Sequence, residues 1–217
     1  MGTEIRRGVL LEREGVIFRQ GTANGALLHK EYEFLPRALE ALRLFAQHNI
    51  AVRVVSHQPG AGADQHTVVE LDRQTRRFLL EAALCGAPIE KVYYCTHAHS
   101  QDCLCRKPLP GMLLRAMKEG SWRRADTFMI GSSEADMEAA SAAGCRGMLL
   151  RRDAFLTGEV RGDHSVEIAS SLHEAAKRIV RRNVLQFDPV LSADWIPLSL
   201  PKHQHAKEFA ALEKEPA

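Results

Sequence analysis

The sequence predicts an α/β domain: a mostly parallel sheet with helices on both faces. Three observations predict it. Short apolar runs alternate along the chain with segments of helical periodicity. Those segments are long enough to cross back over a sheet, as parallel pairing requires. Each cluster of chemically active residues also directly follows an apolar run, where an open α/β sheet has its binding crevice.

The elements follow in order. Gly8–Leu11 reads as a strand. Residues 36–48 read as a helix, with Leu39, Leu42 and Phe45 at helical spacing. Residues 50–55, Ile-Ala-Val-Arg-Val-Val, are rich in β-branched side chains and read as a strand. A long amphipathic helix is expected over residues 66–84, with Val69, Leu71, Phe78 and Leu79 facing inward. A short strand at Val92, Tyr93 and Tyr94 leads into a cysteine cluster. Pro110 opens a helix carrying Met112 to Met117, at a position that suits proline. Residues 127–130 form a strand ending at Gly131. An alanine-rich helix over 135–143 is stopped by Gly144. A strand at 147–150 and a helix at 171–180 complete the pattern.

After residue 185 the periodicity weakens. Residues 1–185 are expected to form the domain, and 186–217 an extended tail with Pro189, Pro197 and Pro201. Trp195, Ile196 and Leu198 give that tail something to dock with, so it is the expected contact for a protein partner. Lys202 to His205 reads as a solvated stretch rather than a metal site.

The chain has 217 residues, 45% hydrophobic and 26% charged, enough to bury a core. Its formal net charge of +2 gives no broad basic surface for nucleic acid or an anionic membrane. Paired arginines such as Arg76-Arg77 and Arg151-Arg152 read as solvated surface. No apolar run approaches the ~20 residues that span a bilayer, and no signal-peptide core precedes the first strand. The expected location is the cytoplasm, where thiols stay reduced and clustered cysteines serve as metal ligands.

Three of the five cysteines lie close together. Cys95, His97, Cys103 and Cys105 supply four soft donors within one loop, the number and type that a structural zinc takes. Ion binding would offset the entropy of ordering a loop with little core of its own. His99 competes with His97 as the imidazole ligand. Cys85 and Cys145 stand at helix ends and are expected to be buried, inert thiols. A zinc-loop nucleic-acid module is the weaker alternative, because the flanks offer little basic or aromatic character beyond Arg106 and Lys107.

The run from Tyr93 to His97, followed by Cys103-Leu104-Cys105-Arg106-Lys107-Pro108-Leu109-Pro110-Gly111-Met112, closely resembles one family. It is similar to the D-glycero-D-manno-heptose 1,7-bisphosphate 7-phosphatases and the related histidinol-phosphate phosphatases, over roughly residues 8–180. The resemblance implies a Rossmann-like haloacid-dehalogenase (HAD) fold with a minimal cap and a structural zinc loop at 95–105. It also implies magnesium-dependent hydrolysis of a phosphate ester. In that chemistry an aspartate after the first strand attacks phosphorus, and a second, two residues on, moves the proton. A hydroxyl and a lysine hold the phosphoryl oxygens, and a later aspartate helps hold magnesium.

The chain departs from this pattern. Where the family has Asp-x-Asp-Gly-Thr, it reads Glu12-Arg13-Glu14-Gly15-Val16. The resemblance thus puts Glu12 at the nucleophile position and Glu14 at the acid/base position. The hydroxyl is kept as Ser56 in Ser56-His57-Gln58, and the lysine as Lys107, with Arg106 beside it as a further phosphate contact. Gly131-Ser132-Ser133-Glu134-Ala135-Asp136 puts Ser132 where a magnesium aspartate stands and keeps the later acid as Asp136. The degenerate magnesium site would therefore comprise Glu12, Ser132 and Asp136.

Glutamate reaches about an ångström further than aspartate, and misplacement on that scale costs ~10²-fold or more. Serine for aspartate removes a charged ligand from a hard cation, which weakens the case for magnesium. The expectation is a catalytically degenerate phosphatase homologue acting as a binding, regulatory or assembly subunit. It could bind a phosphorylated small molecule through Ser56, Arg106 and Lys107. The alternative is a divergent magnesium-dependent sugar-phosphate phosphatase using Glu12 and Glu14. Four residues also have plain structural readings. Ser56 would cap a turn, His57 would be a hydrogen-bonded loop residue, and Glu12 and Glu14 would pair with Arg106 or Lys107 to hold the crevice together.

Overall fold

The computed structural model describes residues 7–19, 32–62, 65–98, 100–151 and 166–187. Its contacts group into two units, Met1–Val180 and Arg181–Ala217. In the first unit, strands β1 (Gly8–Leu11), β2 (Ala51–His57), β3 (Lys91–Cys95), β4 (Phe128–Gly131), β5 (Arg146–Leu150) and β6 (Glu167–Ala169) form one sheet in the order β3-β2-β1-β4-β5-β6. All five pairings are parallel.

Parallel pairing requires crossovers, and helices supply them: α1 (Ala38–Gln47), α2 (Gln65–Leu84), α3 (Gly111–Gly120) and α4 (Glu134–Ala143). A fifth helix, α5 (Leu172–Phe187), follows β6. Strand alternation divides the core between the two faces. Val9 and Leu11 pack with α1, the Phe78 turn of α2 and the Leu172–Val180 part of α5. Leu10 points the other way, into α3 and α4. Because both faces are covered, β1 and β4 are apolar throughout rather than alternating, whereas β2 interrupts its apolar run with buried Arg53 and Ser56. Each fully buried Leu, Phe or Met contributes about 1.5–3 kcal/mol; Leu10, Phe45, Phe78 and Met129 are among the most enclosed.

The elements differ from expectation in ways that have physical causes. Helix α1 starts at Ala38 because Arg37 is left-handed, with φ of 60°. Val69 is 61% exposed, not inward. It stands nine residues from the buried Phe78, two and a half turns and therefore on the opposite face. Strand β6 is an additional edge strand of three residues, pairing Met148 with Glu167. Helix α5 runs to Phe187, past residue 180. Pro110 occupies the N-cap of α3 rather than its first turn. Cys85 and Cys145 are partly rather than fully buried, and burial pushes the Cys145 thiol up to about 12. His99 and the tail residues Trp195, Ile196, Leu198 and Lys202 to His205 lie outside the described residues.

Candidate functional site

The crevice forms where β1, β2 and β4 end. Glu12 extends β1 by one residue, its N–H donating to Ile130 O at 3.0 Å. The chain then turns tightly: Ile17 and Phe18 both donate to Arg13 O at 3.0 Å, and Gly15 donates to Phe18 O at 2.8 Å. Gly15 makes the turn with φ of 78°, which side chains disfavour. A Cβ there would lie 2.6 Å from Ser132 Oγ, so the loops that follow β1 and β4 meet at a position where a side chain is strained.

Glu12, Ser56, Lys107 and Asp136 converge in this crevice. Lys107 Nζ forms an ion pair with Glu12 Oε2 and another with Asp136 Oδ1, the latter at 2.5 Å. Glu12 Oε1 accepts from Ser56 Oγ at 2.5 Å and from Arg13 N at 2.8 Å. Asp136 Oδ2 accepts from the N–H groups of Ser132 and Ser133, each at 3.0 Å, and from Ser133 Oγ at 2.7 Å. Ser133 Oγ in turn accepts from Asp136 N at 3.3 Å, giving α4 a capping box. Lys107 is the enclosed cation of the group. Burial pushes its ammonium below its ordinary value, and the Asp136 carboxylate pulls it back up.

Glu14 sits beside them with a different partner. Arg13 Nε donates to its Oε1 at 2.6 Å and Gln58 Nε2 to its Oε2 at 2.9 Å, while Ser56 Oγ, whose one proton is directed to Glu12, lies 3.1 Å from the same Oε2. Arg13 is only 6% exposed; it also donates to Tyr94 OH at 3.3 Å and stands over the Tyr94 ring. All six carboxylate oxygens of Glu12, Glu14 and Asp136 therefore have donors from this chain. Sequence reasoning missed Arg13 and Gln58 as members. The one signal for Arg13 was its place between two glutamates.

Two predicted residues point elsewhere. Arg106 donates through Nη1 to Ala98 O at 2.7 Å, bracing the cysteine loop. Ser132 is exposed and donates through Oγ to Glu14 O at 3.2 Å. His57 is hydrogen-bonded but is the last residue of β2 rather than a loop residue, its Nε2 lying 3.1 Å from His97 O. Such a set suits magnesium poorly. A hard cation draws on carboxylate oxygens, and Ser132 brings only a hydroxyl where the resemblance places an acid.

A cavity of about 510 Å³ opens beside Gly15 and Ser132. Val16, Leu35, Pro36 and Leu172 give it apolar walls. Its volume falls within the range of small-molecule sites.

The cysteine loop holds the second constellation. Cys95 ends β3 and is buried. The donor atoms of Cys95, His97, Cys103 and Cys105 all lie within 4.8 Å of one another. Cys95 Sγ is 3.8 Å from Cys103 Sγ and 3.6 Å from His97 Nδ1, which is 3.3 Å from Cys105 Sγ. Zinc bonds of about 2.3 Å to sulfur and 2.0–2.1 Å to nitrogen require tetrahedral edges of roughly 3.8 Å and 3.6 Å. The donors thus fit zinc in number, type and spacing. The loop is seated on α3: Gly111 N donates to Leu104 O at 3.2 Å, and a Cβ on Gly111 would lie 2.1 Å from that oxygen.

Residues 104–175 match the HAD-hydrolase-like family model. The D-glycero-beta-D-manno-heptose-1,7-bisphosphate 7-phosphatase of Helicobacter pylori (strain 26695) is 29% identical over 147 residues, 66% of this chain and 83% of the relative. The D-glycero-alpha-D-manno-heptose-1,7-bisphosphate 7-phosphatase of Mycobacterium bovis is 33% identical over 150 residues, 63% of this chain and 75% of the relative. The chain belongs to the heptose-1,7-bisphosphate 7-phosphatase family of HAD hydrolases. The fold agrees. The crystal structure of the D,D-heptose 1,7-bisphosphate phosphatase of B. bronchiseptica, complexed with magnesium and phosphate, superposes with a TM-score of 0.72 at 23% identity, covering 81% of this chain and 99% of that one. The six-stranded parallel sheet is thus the phosphatase-family sheet, with the cysteine cluster directly after its β3 strand.

Proposed function

We propose that this chain is a heptose-bisphosphate phosphatase-family protein that has lost phosphoryl transfer and acts by binding. The observation that carries this reading is the closure of the crevice on itself. The carboxylates at the nucleophile and acid/base positions are saturated by Ser56, Lys107, Arg13, Gln58 and a backbone N–H. A nucleophile must present a free oxygen to phosphorus in line with its leaving group, and an acid/base group must reach that leaving oxygen. Both glutamates are one methylene longer than the family's aspartates, and Ser132 stands where the family places a magnesium acid. A phosphorylated small molecule is the proposed ligand; the cavity beside Gly15 and Ser132 offers it Arg19, Ser170 and Ser171 as polar lining, while Ser56, Lys107 and Arg106 lie outside that lining. The cysteine loop would carry a structural zinc, in keeping with a cytoplasmic setting where thiols stay reduced. The 186–217 tail is the proposed contact for a protein partner.

A second reading is a divergent magnesium-dependent sugar-phosphate phosphatase. The convergence of Glu12 and Glu14 on one hydroxyl, Ser56 Oγ, at 2.5 and 3.1 Å favours it. Phosphate release separates the two, measured with magnesium on heptose bisphosphate, histidinol phosphate and p-nitrophenyl phosphate. The expected result is no release above that of Glu12→Ala, with activity appearing in a Glu12→Asp, Glu14→Asp, Ser132→Asp triple variant. Turnover by the unaltered chain that vanishes in Glu12→Ala would establish the phosphatase instead.

A further inference from the structure

Helix α2 leaves one face open to solvent. Among the described residues six large apolar side chains are exposed, and four of them, Val68, Val69, Leu80 and Leu84, stand on this one helix. The exposed positions of α2 recur at three- and four-residue spacing from 68 to 84, which places them on a single face. The core does not account for that face, because Leu71, Phe78 and Ala82 are the buried side of the same helix. Apolar side chains gathered on one exposed face, rather than scattered singly, mark a contact surface.

The face reads the same in both directions. Val68 and Val69 stand before position 76 at the distances at which Leu84 and Ala83 stand after it. The middle is charged and balanced: Arg76 donates to Asp72 at 2.8 Å and Arg73 to Glu70 at 2.7 Å. Such a pattern is self-complementary under a two-fold axis. With the axis at Arg76 and two copies of α2 antiparallel, Val69 meets Ala83 of the second copy and Val68 meets Leu84. Asp72 then stands about 6 Å along the helix from Arg76 of the second copy. Each acid can serve two guanidinium groups, so the two arginines at the axis are not left facing each other. A partner of one sign would leave half of these charges unanswered, whereas a second copy brings both signs in the required order.

We propose that the exposed face of α2 is a homodimer contact, on which a second copy of this chain packs with its own α2 antiparallel about an axis at Arg76. The helix is about 30 Å long, so this contact falls at the small end of specific interfaces, and the dimer is a weak, reversible one. Self-association is independent of the proposed loss of turnover: ultracentrifugation reads the first and phosphate release the second.

Sedimentation equilibrium of the zinc-loaded full chain is the test. The expected result is a monomer–dimer equilibrium with a dissociation constant on the order of 10⁻⁵–10⁻⁴ M. Leu80→Glu sets a carboxylate against Asp72 of the second copy and should weaken the dimer by roughly tenfold or more, with the thermal midpoint of the monomer unchanged. Asp72→Arg should weaken it as well. Adding Arg76→Asp should restore it, because the reversed pair keeps the same two-fold match. A chain that stays monomeric up to ~10⁻³ M would overturn the inference. So would a dimer indifferent to Leu80→Glu, or a charge reversal that fails to restore what Asp72→Arg lost. Should Leu80→Glu not fold, Leu84→Glu, at a side chain 79% exposed, carries the same comparison.

Discussion

Asp136 is 1% exposed and performs two tasks with two different oxygens. Oδ1 pairs with Lys107, and Oδ2 accepts from Ser132 N, Ser133 N and Ser133 Oγ at the start of α4. The tasks can be separated by substitution. Ser133→Ala removes the side-chain part of the cap and should cost about 1 kcal/mol. Asp136→Asn keeps an oxygen for the two N–H groups but gives up the charge. Breaking a buried pair costs about 3–5 kcal/mol when the remaining charge is left alone. Lys107 keeps Glu12, so the expected loss is smaller, about 2 kcal/mol. Asp136→Ala loses both contributions, about 3 kcal/mol. For a domain of this size that corresponds to a fall in Tm of roughly 6–12 °C, against about 2–4 °C for Ser133→Ala. Thermal and urea unfolding of the three variants, each zinc-loaded, supplies the measurement. If Asp136→Ala and Ser133→Ala fall equally, with Asp136→Asn matching the parent, the Lys107 pair contributes nothing and the account of a closed crevice is wrong.

Metal analysis of the purified chain should return about one zinc per molecule. Cys105→Ser should lose that zinc and lower Tm by more than ~10 °C; an unchanged midpoint in metal-free protein would refute the structural role. Glu119 accepts from Lys91, Arg115 and Tyr93, which together hold its carboxyl at about 2, below its ordinary 4.5. A depressed folded value means its stabilisation is complete above pH 4.5 and is lost as pH falls through about 2. Glu119→Gln should therefore narrow the stability gap between pH 6 and pH 2, and a gap equal to the parent's would contradict this. Gly15→Ala should destabilise by about 1–3 kcal/mol, from its left-handed backbone and the contact with Ser132. Adding Ser132→Gly should relieve the contact part alone, so a variant rescued fully or not at all in urea unfolding would show the cost misassigned.

The sheet was legible because its central strands are buried on both faces and so read as apolar runs, as in Val9-Leu10-Leu11 of β1 and Phe128-Met129-Ile130 of β4. The long helix was legible in extent but not in orientation. Leu71 and Phe78 lie one heptad apart and face the core, whereas Val69, equally apolar, faces out. Strand β6 escaped notice because Glu167-Ile168-Ala169 is too short to show a period. The four cysteine-loop donors could be read from type and spacing, since one loop must bring them together. The carboxylate cluster could be only half read. Lys107 reaching Glu12 was among the pairings considered, but Glu14 chose Arg13, its own neighbour, over Arg106. Arg106 turned to a backbone carbonyl, a partner that no residue pattern encodes.

The seating of the cysteine loop on Gly111 has a consequence for anyone moving this crevice to another scaffold. Only one residue separates Cys105 from Lys107, so the knot and the charge it presents travel as one piece. A graft that copied the strand ends and their acids, but shortened or replaced the loop, would import the negative charge and leave its counterweight behind. The knot is in effect the mooring from which this protein balances its own interior.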